Sequence, residues 1–371
     1  MKNLITELAL YLRPPGQGLY AVSSGKAEMQ SFTNQYLGLP VKSQESTQPD
    51  FWRQHLQKIK TLRGRDAVVL LAIPSDAGAG IMRGASHGPK AIREKFQNAP
   101  VFDCGDVITV PHFIADAMLA RSQIHKTQDA LYAGVSVAKR RQLPVSPLDI
   151  AERACEILCT LNPKIKIMLL GGDHTVTWAT VHAVYKNLPK ALRPMGILHF
   201  DAHTDLLAER MGVKYCFATW AYHANALIGG HERLLQVGIR KSGRDKNHWE
   251  SSTHVKQIWA NEALQQSPQE LALQVAAHFK KCGVKSLYVS NDLDGTDARW
   301  AAACGTPEPG GLTREHVLAV LAKIKALHIP VVGADVVELA PGLSLDKKRA
   351  ATSIATATTY VQAELELLQQ N

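Results

Sequence analysis

From about residue 66 onward, short unbroken apolar runs alternate with longer segments of helical spacing. The runs at 67–73, 165–170, 195–200, 234–239, 286–289 and 329–333 are rich in Val, Ile and Leu. A strand that is apolar on both sides must be covered on both sides, which an exposed antiparallel hairpin cannot provide. Between the runs, 147–161, 175–187, 268–282 and 313–327 carry apolar residues at helical intervals, and 348–368 reads as one long C-terminal helix. The pattern predicts an α/β fold: a three-layer α/β/α arrangement with a mostly parallel central sheet. Such sheets gather their ligands at the carboxyl ends of the strands.

The 371 residues, 46% of them apolar, suffice for one large α/β domain with an added piece. Residues 1–65 read as an N-terminal extension packed on a main domain at 66–371. The extension holds Pro14-Pro15-Gly16, a polar stretch at 43–50 and a helical segment around 52–62. The net charge is +9, but its densest groups, Lys139-Arg140-Arg141 and Lys347-Lys348-Arg349, are short and have no interleaved aromatics. They read as solvated surface, so no nucleic-acid partner is expected. No apolar run approaches the length of about 18 residues needed to cross a bilayer, so no membrane partner is expected either. The start of the chain, with Glu7 inside its apolar stretch and Arg13-Pro14-Pro15 after it, makes a poor secretory signal. The six cysteines form no C-x-x-C pair, and Cys155 and Cys159 lie one helical turn apart as packing residues. A reducing cytoplasm is the expectation.

Three strand ends carry the chemistry. Gly171-Gly172-Asp173-His174-Thr175 closes one, with glycines for a tight turn that presents His174. His199-Phe200-Asp201-Ala202-His203-Thr204-Asp205 closes the next, and Asp201, His203 and Asp205 at spacing two share a face if the chain is extended. Ser290-Asn291-Asp292-Leu293-Asp294 closes a third, where Asp292 and Asp294 share a face in the same way. Each motif alone has a plain structural reading. Together they bring four carboxylates and two imidazoles to one rim, an arrangement that repulsion and desolvation make costly without cations. Six ligands exceed the need of one ion and suit two divalent ions about 3.5–4 Å apart. The oxygen-rich set favours two Mn²⁺, with Ni²⁺ or iron compatible by ligand type.

In this order the motifs closely resemble those of the ureohydrolase superfamily: arginases, agmatinases, guanidino-acid ureohydrolases and formimidoylglutamases. Arg83 to Arg93, Gly305 to Thr313 and Asp335-Val336-Val337-Glu338 extend the resemblance over roughly 66–371. It implies an arginase-like fold and a hydrolase of the C–N bond in a guanidino or amidino substrate. His174, Asp201, Asp205 and Asp292 would hold one metal, and Asp201, His203, Asp292 and Asp294 the other. It further implies Asp205, Glu338 and Asp294 as the catalytic set, with Asp205 moving a proton to the leaving nitrogen and Glu338 pairing with the cationic end of the substrate. A homo-oligomer, trimer or hexamer, is implied as well.

The sequence departs from the family at four places. Phe217 stands where a histidine often serves as proton shuttle, and His223 is the nearby candidate to replace it. Leu206-Leu207 stand where arginases place an asparagine for the substrate carboxylate. After Gly238-Ile239-Arg240, Lys241 and Arg244 replace the expected aspartates and favour an anionic tail, such as a guanidino acid or formiminoglutamate. Asp297-Ala298 replaces Asp-Pro. Two rival readings stand beside the hydrolase: a single-zinc deacetylase of the same fold, and a non-catalytic or regulatory metal-binding relative.

Overall fold

A computed structural model describes residues 2–21, 24–39, 49–96 and 101–370, which leaves 43–48 of the polar stretch outside the described residues. Among the described residues, nine strands form one sheet: β1 (Leu12–Arg13), β2 (Val68–Ile73), β3 (Phe102–Val107), β4 (Lys166–Gly171), β5 (Met195–Phe200), β6 (Leu234–Ile239), β7 (Lys256–Trp259), β8 (Ser286–Asp292) and β9 (Val331–Val337). Their order is β1-β3-β2-β4-β9-β8-β5-β6-β7. All neighbours pair in parallel except β1, which runs antiparallel to β3 at one edge.

Alternate residues of one strand enter opposite cores, so the apolar runs are continuous. Val68, Leu70, Ala72, Met168 and Leu170 join the side chains of helices Pro268–Lys281, Arg314–Lys325 and Lys347–Leu368. Val69, Leu71, Ile73, Ile167 and Leu169 face helices Lys2–Tyr11 and Pro147–Leu161 on the other side. Both faces are therefore dry, and truncating Leu169, which is fully buried, should cost roughly 2–5 kcal/mol.

Three strands escape the apolar pattern. β3 contains Asp103, Gly105 and Asp106, all buried, because Arg93 from helix Gly88–Lys95 ion-pairs with both aspartates. β7 is short and carries the buried Gln257, and β1 is two residues long. The expected strand at 329–333 lies further on, at Val331–Val337, and so ends next to Glu338. The expected helix around 52–62 is an α-helix at Pro49–Gln57 followed by a 3₁₀ turn at Lys58–Thr61.

The first segment is integral to the sheet edge. Trp52 Nε1 donates to Leu12 O at 3.2 Å, and Gly16 N and Gly18 N donate to Asp106 Oδ2 at 2.8 and 3.1 Å. Among the described residues, no helix is long and apolar enough to cross a membrane.

Candidate metal centre

The carboxyl ends of β4, β9, β8 and β5 lie side by side. The three motif-bearing strands are therefore not consecutive: β9 stands between β4 and β8 and brings Glu338 to the same rim. The two glycines after β4 are required by close approach. A Cβ on Gly172 would lie 1.8 Å from Ser75 O, and one on Gly171 would lie 2.4 Å from a Val337 methyl. Asp173 then accepts from Gly78 N at 2.9 Å and Thr175 N at 2.8 Å, tying this turn to the loop after β2.

The six motif residues converge, though not through an extended chain. Asp201 follows β5 directly, and Asp205 turns back with φ 52°. Asp292 ends β8, and Asp294 sits in a 3₁₀ turn whose amide donates to Asp292 Oδ1 at 2.8 Å. Turns, not strand alternation, produce the shared face.

His174 Nδ1 lies 3.0 Å from Asp292 Oδ2, 3.2 Å from Asp201 Oδ2 and 3.3 Å from Asp205 Oδ2. His203 Nδ1 lies 3.1 Å from Asp294 Oδ2 and 3.4 Å from Asp201 Oδ1. Asp201 thus spans the two imidazoles, one oxygen toward each. Of the six, five are buried and His203 is partly open to solvent.

The tautomer of His174 follows from its partners. Ser290 Oγ donates to Asp335 Oδ1 at 2.8 Å, so it must accept from His174 Nε2 at 3.0 Å. A neutral ring then turns its Nδ1 lone pair toward three carboxylates, and this buried nitrogen has no hydrogen-bond partner among the described residues. A lone pair and three anions facing one point suit a cation. Without one, protons are the substitute. Burial pulls His174 down, but Asp201, Asp205 and Asp292 outweigh it and raise its pKa well above the ordinary value. Burial likewise opposes charge on His203, yet Asp294 and Asp201 push it up to about 12. Burial lifts Asp292 well above the carboxylate range, reinforced by the charges of Asp294 and Asp201. The donor set therefore fits divalent ions. His174, His199, Asp201 and Asp205 form one group able to hold a metal, and Asp201, His203 and Asp294 form another.

Neighbouring side chains brace this set. Trp220 Nε1 donates to Asp205 Oδ2 at 3.0 Å, and Thr306 Oγ1 donates to Asp294 Oδ2 at 2.8 Å. His199, which the motif reading left without a role, bonds Asp201 Oδ2 through Nε2 at 2.8 Å. Gln236 Nε2 meets its Nδ1 at 3.0 Å, and Gln257 Nε2 donates to Gln236 Oε1 at 2.8 Å. The available signal was a histidine inside a fully buried strand, with one buried glutamine on the neighbouring strand β6 and another on β7 beyond it.

Glu338 also faces the cluster: its Oε1 accepts from His174 N at 2.9 Å, and its backbone adopts φ 63°. That left-handed conformation costs a non-glycine residue on the order of 1 kcal/mol and is held here by Glu338 N donating to Gly172 O at 2.8 Å.

The other candidates take their partners outside the six motif residues. Lys241 donates its backbone N–H to Ala202 O at 3.0 Å, while its exposed ammonium faces Glu308 at 3.6 Å. Arg244 is exposed, and its carbonyl accepts from Ser242 Oγ. His223 bonds Lys214 O at 3.1 Å and packs against Trp178 and Tyr215. Phe217 is held by its N–H to Gly78 O at 3.1 Å, with its ring against Gly80. Asp297 keeps its turn without the proline, its Oδ2 accepting from Gly310 N at 2.7 Å and Gly311 N at 3.3 Å.

A three-layer sheet with this cluster on its carboxyl rim defines a protein of the ureohydrolase superfamily. The model of the arginase family matches residues 66–364, and the chain belongs to that family. Guanidinobutyrase of Pseudomonas aeruginosa is 27% identical over 295 residues, covering 77% of this chain and 82% of that protein. The human mitochondrial guanidino acid hydrolase is 28% identical over 300 residues, covering 76% and 73%. Among solved structures, proclavaminate amidino hydrolase from Streptomyces clavuligerus aligns with a TM-score of 0.61 at 24% identity, covering 82% of this chain and 94% of that one. This last match concerns the fold alone.

Proposed function

We propose that the chain is a binuclear hydrolase that cleaves the C–N bond of a guanidino or amidino substrate. The observation that carries this reading is the buried Nδ1 of His174, without a hydrogen-bond partner among the described residues and facing Asp201, Asp205 and Asp292. His174, Asp201, Asp205 and Asp292 would hold one divalent ion and Asp201, His203, Asp292 and Asp294 the other, with manganese the first choice for so oxygen-rich a set. When bound, such a pair acidifies water toward neutrality and polarises the bond under attack.

The remaining work falls to this chain's side chains. Asp205, its Oδ2 anchored by Trp220 Nε1, accepts a proton from the attacking water and passes it toward the leaving nitrogen. Asp294 keeps one carboxylate oxygen on Ala202 N and the other on Thr306 Oγ1, which fixes its orientation through the reaction. Glu338 pairs with the cationic guanidinium or amidinium, a geometry for which a carboxylate is suited.

We assign the substrate an anionic tail, with Lys241 and Arg244 on the loop after β6 as the steering charges. Two relatives support this: they are named as a guanidinobutyrase and a guanidino acid hydrolase. Assays of urea and ammonia release from guanidino acids, agmatine, arginine and formiminoglutamate, with manganese or nickel supplied, test the proposal. Turnover of a guanidino acid is expected. A non-catalytic reading has one observation in its favour, the phenyl ring of Phe217 at the shuttle position, and no turnover with both ions bound would favour it.

A further inference from the structure

The N-terminal segment, which the family match does not cover, lines an open cleft of about 380 Å³ together with helix Arg121–Leu131 and Ile108. That volume lies within the range of small-molecule pockets. Arg13 and Lys26 both line it, and no acidic residue among the described residues does. Arg13 spends a single nitrogen on the protein: its Nη1 faces the carbonyls of Ala9, Leu10 and Leu12 at 3.2–3.4 Å, closing the C-terminus of helix Lys2–Tyr11. No carboxylate pairs with its guanidinium among the described residues, although burial pulls its pKa down. The partly buried guanidinium of Arg13 ordinarily calls for an anion, because low-dielectric surroundings penalise an unpaired charge, and the exposed Lys26 adds a second positive charge at the rim.

The lining also includes the apolar side chains of Met29, Ile108 and Leu131. The frame is rigid, because the pocket-lining chain is tied to the edge of the sheet: Tyr20 N donates to Thr109 O and Thr109 N to Gly18 O, both at 2.8 Å. Gln17 is fixed by Nε2 donating to Thr33 Oγ1 at 2.9 Å and Gln30 Oε1 at 3.2 Å.

We propose that this cleft binds a small aliphatic carboxylate, its charge on Arg13 and Lys26 and its alkyl part against Met29, Ile108 and Leu131. The site is separate from the metal centre and does not depend on the hydrolase reading. A guanidinium edge plus one ammonium matches a singly charged carboxylate, and the apolar side chains favour it over inorganic phosphate.

Titration calorimetry on the full-length, metal-loaded protein tests this with butyrate, inorganic phosphate and the neutral butyramide. Butyrate should bind at least about tenfold more tightly than phosphate, and butyramide not measurably. Lys26→Met, at an exposed position where the fold is not at stake, should weaken butyrate at least about tenfold, and Arg13→Gln likewise, whereas Lys26→Arg should stay within about threefold. Absence of butyrate binding would overturn the proposal. So would unchanged affinity in Lys26→Met, which would put the anion elsewhere, at the metal centre for instance. Phosphate binding more tightly than butyrate would overturn the carboxylate assignment.

Discussion

His174 is joined to Ser290 through Nε2 at 3.0 Å, and this bond commits its other ring nitrogen to the carboxylates. Ser290 can only accept there, because its own proton goes to Asp335. The cluster's ligand geometry is therefore set one layer below the ligands. Ser290→Ala should leave the fold intact and weaken metal binding about 10–100-fold, as loss of such supporting bonds generally does. Metal-competition titration reads this directly, and an unchanged affinity would remove Ser290 from the account.

Metal loading should release protons. The carboxylates keep both His174 and His203 protonated at neutral pH, the latter with a pKa of about 12, and a cation must displace those protons to bind. Affinity should therefore fall as pH falls, by roughly a hundredfold per unit for two protons released. Calorimetry in buffers of different ionisation enthalpy counts the protons, and a count of zero would contradict the electrostatics described.

Asp201→Ala and Asp292→Ala should each abolish metal binding and activity, because both carboxylates are assigned to both ions. Glu338→Gln retains an oxygen for His174 N, so both metals should stay bound while KM rises and kcat falls. Elemental analysis and steady-state kinetics separate the two classes. Full activity in Asp201→Ala would refute bridging, and unchanged kinetics in Glu338→Gln would remove that residue from the site.

Arg93→Met tests stability away from the centre. Arg93 is fully buried and is the partner of Asp103 and Asp106, so its removal strands two buried carboxylates at a cost of about 3–5 kcal/mol. Calorimetric unfolding should show a clear drop in Tm, and a wild-type Tm would mean the pair is compensated elsewhere.

The sheet was legible where burial on both faces made the strands mostly apolar: 195–200 and 234–239 match β5 and β6 residue for residue, despite His199 and Gln236 within them. Pattern reading failed where polar residues are satisfied inside the fold. The aspartates of β3 look like loop until Arg93 is placed beside them, and Gln257 in β7 looks exposed until Gln236 is seen next to it. At the centre, spacing two singled out residues that do converge, but for a reason that did not hold, since Asp205 and Asp294 arrive by turns. His199 went unassigned because, within an apolar run, a neighbour two residues away and a glutamine on another strand are invisible to periodicity. Charges on the loop after β6 were legible as charges, while the Glu308 partner of Lys241 depended on the tertiary fold.

Anomalous diffraction from crystals of the manganese-loaded protein tests the central claim most directly. Two peaks are expected about 3.5–4 Å apart, one beside His174 and one beside His203, with Asp201 and Asp292 between them. A single peak, or none within reach of these side chains at saturating manganese, would contradict it.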